Sequence, residues 1–66
     1  MNDLFSGGVT PLNAQIACVQ REIKQRERVY PRWVSEKKMT QVFADFQIKA
    51  MRDVLRSLEA LRGKLP

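Results

Sequence analysis

Apolar residues recur along this chain at helical spacing, not at the alternation of a strand. From Leu12 the series Leu12, Ile16, Val19, Ile23, Arg26, Tyr30 and Trp33 steps by fours and threes, a heptad seam interrupted by one arginine. Thr10 and Pro11 precede it as a helix start. The Thr10 hydroxyl is placed to cap a free N–H, and proline at the first helical position loses only a donor that has no partner there. Pro31 falls inside the continuing pattern, where it removes a backbone hydrogen bond and crowds the preceding turn. A kink or a short terminal turn is expected there, with helix 1 spanning about 11–34 because Trp33 and Val34 keep the apolar phase. Ser35-Glu36-Lys37-Lys38 is a short polar connection of the kind that joins antiparallel helices. Thr40 is the expected cap of helix 2, with Met39 outside it as a staple residue and Gly63 as the left-handed residue that stops it. Helix 2 is thus predicted over about 40–62.

Helix 2 carries more apolar surface than one partner needs. On a helical wheel, Ala44, Ile48, Met51, Leu55 and Leu58 form one seam, while Phe43, Gln47, Ala50, Val54, Leu61 and Leu65 form a second beside it. Together they cover about 200°, whereas one antiparallel partner requires a stripe of about 100°. The excess predicts self-association through Phe43, Ala50, Val54, Leu61 and Leu65. The fold expected is therefore all-α, an antiparallel two-helix hairpin over residues 10–66 that pairs into a four-helix homodimer. The alternative is a monomer in which Phe43, Phe46 and Leu61 cover the hairpin tip, the N-terminal arm and the fraying end. Residues 1–9, with the breaker Ser6-Gly7-Gly8 and no periodicity, read as a flexible arm.

Charge adds a second surface. The chain has 66 residues and a formal net charge of +5, and on helix 1 Arg21, Lys24, Arg28 and Arg32 lie within about 80° of one another. Glu22 and Glu27 fall off that stripe, and Lys37 and Lys38 extend it towards the tip. Such a row fits an acidic protein patch or a line of phosphates, and it is also what a merely solvated helix face looks like. Tyr30 and Trp33 are expected to point inward and plug the tip against Met39 and Phe43. Asp45 with Lys49 and Glu59 with Arg62 are spaced as helix-surface pairs.

Composition removes most chemistry. With no histidine and a single cysteine, Cys18, zinc fingers, Cys/His dyads, histidine acid–base relays and intrachain disulfides are excluded. Cys18 is expected on the flank of the apolar stripe as a packing residue. The acidic residues never cluster at a metal-binding or acid–base spacing, and Gly7-Gly8 lacks the rest of a phosphate loop. The expectation is a non-enzymatic chain with no metal and no cofactor. No apolar run reaches the roughly 20 residues of a membrane span, and the N-terminus lacks a basic segment followed by an apolar one, which points to the cytoplasm.

The strings Arg21-Glu22-Ile23, Arg26-Glu27-Arg28-Val29-Tyr30-Pro31-Arg32-Trp33-Val34 and Met39-Thr40-Gln41 resemble a pattern in small helical-hairpin proteins of Mu-like bacteriophages and prophages. The resemblance covers about residues 15–60 and is specific in Arg28–Val34. Within that group the functional analogy is the phage quorum-sensing anti-activator family, whose dimeric helical proteins bind a host LuxR-type transcription regulator and block its DNA binding. The resemblance implies a host-takeover protein acting by protein–protein contact in the cytoplasm of the bacterial host. It transfers no individual site residue. From the residues themselves, the partner-binding candidates are Arg21, Lys24, Arg28, Arg32 and Phe46. The alternative reading is a basic nucleic-acid or anionic-nucleotide binder using the same four cations, though no exposed stacking aromatics are interleaved with them.

Overall fold

A computed structural model of the chain describes residues 9–65, so most of the expected N-terminal arm lies outside the described residues. Two helices, α1 (Leu12–Ser35) and α2 (Gln41–Gly63), pack against each other as an antiparallel hairpin, with no strand among the described residues.

The start of α1 differs from expectation. Pro11 itself is the cap residue, extended at φ −54° and ψ 144°, and no side chain caps the helix. Its carbonyl accepts the first helical bond from the Gln15 amide at 3.0 Å. Thr10 is thereby displaced one position too far out for its hydroxyl to serve, and its backbone carbonyl instead accepts from the Gln15 side chain at 2.6 Å. Pro31 does not end α1, which runs on through Ser35. Glu27 and Pro31 are both exposed, so water reaches the carbonyl that proline leaves without a donor.

Residues 36–40 connect the helices by a stop in which lysine does the work of glycine. Lys37 is the one non-glycine residue with positive φ among those described, at 61°. Its amide donates to the Val34 carbonyl at 3.0 Å, and the Lys38 amide donates to the Trp33 carbonyl at 2.8 Å, the paired bonds of a Schellman stop. A left-handed L-residue costs about 1–2 kcal/mol, part of which glycine would return through its greater freedom in the unfolded chain. Lys37→Gly is therefore expected to raise stability by about 0.5–1 kcal/mol, or the melting temperature by about 4 °C at fixed protein concentration. A fall in urea midpoint would show that the Lys37 side chain contributes more than its strain costs.

The start of α2 is as the sequence indicates: the Phe43 amide donates to the Thr40 hydroxyl oxygen at 3.1 Å. Its end is not. Gly63 is helical and no described glycine has positive φ; α2 instead closes with short i→i−3 bonds, Lys64 amide to Leu61 carbonyl at 3.1 Å and Leu65 amide to Arg62 carbonyl at 3.2 Å. With solvent open around the last turn, water satisfies the final carbonyls and no left-handed cap is required.

The core is thin. Among the described residues Ile16, Ile23 and Ala44 are the buried ones, at 3%, 7% and 2% exposure, and no large side chain there falls below 2%. Ala44 sits near the tip, where a small side chain lets the helices approach. Leu12, Val19, Tyr30 and Val34 of α1 and Ile48, Met51, Leu55 and Leu58 of α2 are half-buried around them. The first seam of α2 therefore meets α1. Arg26, the interruption in the α1 seam, is half-buried as well. It donates to Glu22 Oε2 at 2.8 Å, makes long contacts of 3.4 and 3.5 Å with the carbonyl and side-chain oxygens of Gln47, and lies 5.9 Å over the Tyr30 ring. Its stem extends the apolar seam while its charge stays partnered, and the match to Gln47 fixes one register between the helices.

Candidate functional site

Two surfaces stand out, on different sides of the hairpin. On α1, all four of Arg21, Lys24, Arg28 and Arg32 are exposed, on the edge turned away from α2. Nothing neutralises them: among the described residues none of the four is in an ion pair, because the carboxylates nearest in sequence are engaged elsewhere. Glu22 pairs with Arg26 at 2.8 Å, and Glu27 pairs across the hairpin with Arg52. Arg28 donates to the neutral Gln25 side chain. The seam arginine and the interhelical pair thus draw negative charge to the α2 side of α1 and leave a one-signed outer stripe whose field is focused by the helix beneath it.

On α2 the second seam is open. Phe43, Phe46, Val54, Leu61 and Leu65 are 51%, 62%, 44%, 50% and 55% exposed, and Ala50 is half-buried between them. Phe46, grouped with the cations as a partner-binding candidate, lies on this stripe and not with Arg21, Lys24, Arg28 and Arg32. Lys49 and Asp53 border it and pair at 2.7 Å. The Lys49 hydrogen bond holds the Asp53 carboxyl below its ordinary range; lost solvation opposes it, and the Lys49 and Arg56 charges add to the lowering. Two expected surface pairs are replaced. Asp45 accepts from Gln41 at 2.8 Å while Lys49 turns forward to Asp53, and Arg62 reaches Asn13 on α1 at 3.2 Å.

The aromatic pair is not where the spacing put it. The tip hollow is lined by Val34, Lys37, Lys38, Met39, Thr40 and Phe43, without either ring. Tyr30 and Trp33 stack on each other, with centroids 5.7 Å apart and planes at 28°, and share a shallow flank groove with Arg26 and Val29. Trp33 is 39% exposed. Trp33 and Val34 lie towards opposite edges of the seam, about 60° and 40° from its centre, and the side from which α2 packs turns Val34 inward and leaves Trp33 out. Trp33, exposed beside an arginine, is the recognition-type residue that heptad counting missed. Cys18 is exposed, so it is not the packing residue expected.

Among the described residues, no three His, Cys, Asp or Glu side chains gather closely enough to hold a metal ion. No described helix is long and apolar enough to cross a membrane. No protein-family model matches the chain, and no curated protein or solved structure is significantly similar to it. What the chain shows is therefore its own geometry: a two-helix hairpin with a cationic stripe on one helix and an uncovered apolar stripe on the other.

Proposed function

We propose that this chain is a non-enzymatic, homodimeric protein-binding module of a bacteriophage or prophage that inhibits a host protein. The observation that carries the binding role is the unneutralised stripe Arg21, Lys24, Arg28 and Arg32, kept free of carboxylates by the Glu22–Arg26 and Glu27–Arg52 pairs. A rigid row of cations on an uninterrupted helix steers and orients an acidic protein surface, and suppresses basic partners. The apolar stripe on α2 supports self-association, which doubles the cationic surface. The kind of target, a LuxR-type quorum-sensing transcription regulator in the host cytoplasm, rests on the resemblance of residues 21–41 to the phage hairpins and their anti-activators.

The test is a mobility-shift titration in which a purified LuxR-type regulator on its operator DNA is challenged with this protein. Release of the DNA at near-stoichiometric protein, together with a regulator–inhibitor complex of defined mass, is the expected result. The same stripe also fits phosphates. If the protein instead shifts the DNA without regulator, with affinity falling about 10³-fold or more between 50 and 200 mM salt, the cations bind nucleic acid and the inhibitor reading is lost.

A further inference from the structure

The open stripe of α2 is self-complementary. Along it, Phe43, Phe46, Ala50, Val54, Ser57 and Leu61 follow at spacings of three and four, and they change in size: two phenylalanines towards the tip, then alanine, valine and serine. Phe46 projects at one end and walls the near side of a shallow groove that runs on past Ala50, Val54, Ser57 and Leu58, edged by Lys49 and Asp53. From this knob and hollow we infer that a second copy covers the stripe with its α2 antiparallel, related by a two-fold axis passing at Ala50. The inference rests on the homodimeric reading above and specifies its geometry.

The axis follows from size. An antiparallel pairing centred on Ala50 sets each residue opposite the one as far beyond Ala50 as it lies before. Phe46 then meets Val54 and enters the groove beside it, Phe43 meets Ser57, and the two Ala50 residues face each other where the helices come closest. Large opposes small on either side of the Ala50 contact, which favours interdigitation there. Leu61 reaches the level of Met39 in the partner's tip hollow, so the two exposed apolar features of the hairpin fill each other. A parallel pairing in register would set Phe43 on Phe43, Phe46 on Phe46 and Ser57 on Ser57, crowding one end and leaving the other empty.

Charge agrees with the same axis. A two-fold perpendicular to antiparallel helices brings each flank against its own copy, so Lys49 lies about 3 Å along the helix axis from the Asp53 of the second copy. The two Lys49 residues come equally close to each other along the axis, with the two Asp53 residues bracketing them, so the flank is neutral as a whole. The four exposed side chains Phe43, Phe46, Val54 and Leu61 leave on the order of 400 Å² open per copy, or about 800 Å² for two, and the polar flanks carry the total past the roughly 1,000 Å² of a specific interface.

The experiment uses the full chain with Cys18→Ser and single cysteines, under mild oxidation. Ala50→Cys is expected to cross-link to a covalent dimer, since the axis brings its two copies together. Phe46→Cys alone is expected not to, because its copies lie about 12 Å apart along the helices, while mixing Phe46→Cys with Val54→Cys restores the cross-link. Cross-linking of Phe46→Cys with itself, or a dimeric mass by light scattering with no bond at Ala50→Cys, overturns this geometry and leaves the homodimer standing. A monomeric mass at about 100 µM overturns the homodimer as well. Either result is read without the regulator, so it is independent of what the module inhibits.

Discussion

Val54→Glu is expected to halve the molar mass of the protein in solution and to strip most of its helical circular dichroism at micromolar concentration. The substitution puts a carboxylate at the middle of the open α2 stripe, on a residue 44% exposed in the single hairpin. In the hairpin alone that change is harmless. In the proposed dimer two such carboxylates lose their water. Burial of an unpaired charge costs several kcal/mol, so even about 4 kcal/mol for both raises the dissociation constant by about 10³-fold. Loss of helicity follows because, among the described residues, the separated hairpin keeps only Ile16, Ile23 and Ala44 buried. That is too little apolar burial to offset the ordering of two helices. Val42→Glu is the control: Val42 is 80% exposed and about 80° from the stripe centre, and this variant is expected to keep its mass and helicity. Sedimentation or light scattering together with circular dichroism reads both. A Val54→Glu protein that stays dimeric removes the second seam from the interface.

The second large effect is expected from reversing Arg21, Lys24 and Arg28 to glutamate. The three changes shift the formal net charge by six, from +5 to −1, and turn the outer stripe of α1 from attractive to repulsive for an acidic partner. Binding to the proposed acidic partner is expected to weaken by about 10²-fold or more, mainly through slower association and with a loss of salt dependence. Folding should be nearly untouched, because none of the three is in an ion pair among the described residues and all are exposed. Each such surface change is worth about 0.5 kcal/mol or less. Surface plasmon resonance against the regulator at two salt concentrations, beside a thermal melt, separates the two quantities. Undiminished binding by a folded variant would make the stripe a solvated face only.

Much of the hairpin is legible in the residues because it is set by local chemistry. The three-four spacing from Leu12 onward commits α1 to one face, Thr40 caps α2 by the bond its hydroxyl can reach, and the polar run after Val34 turns the chain. The failures share a cause too. Thr10 and Gly63 are strong statistical signals whose outcome depends on one position of phase or on access to water: Pro11 occupies the cap, and an open end leaves Gly63 no left-handed turn to make.

The candidate surfaces divide in the same way. Sequence by itself determined that α1 carries four cations on one stripe and that α2 is apolar over too wide an arc for one neighbour, since both follow from 100° of rotation per residue. Only the tertiary structure decided that Val34 and not Trp33 turns inward, that Arg26 stays in the seam by reaching Gln47, and that Glu27 crosses to Arg52. It also set Lys37 in the left-handed region. Each of those depends on the distance and rotation between two helices. A periodic pattern leaves these free to within a side chain's width, and close packing then fixes them.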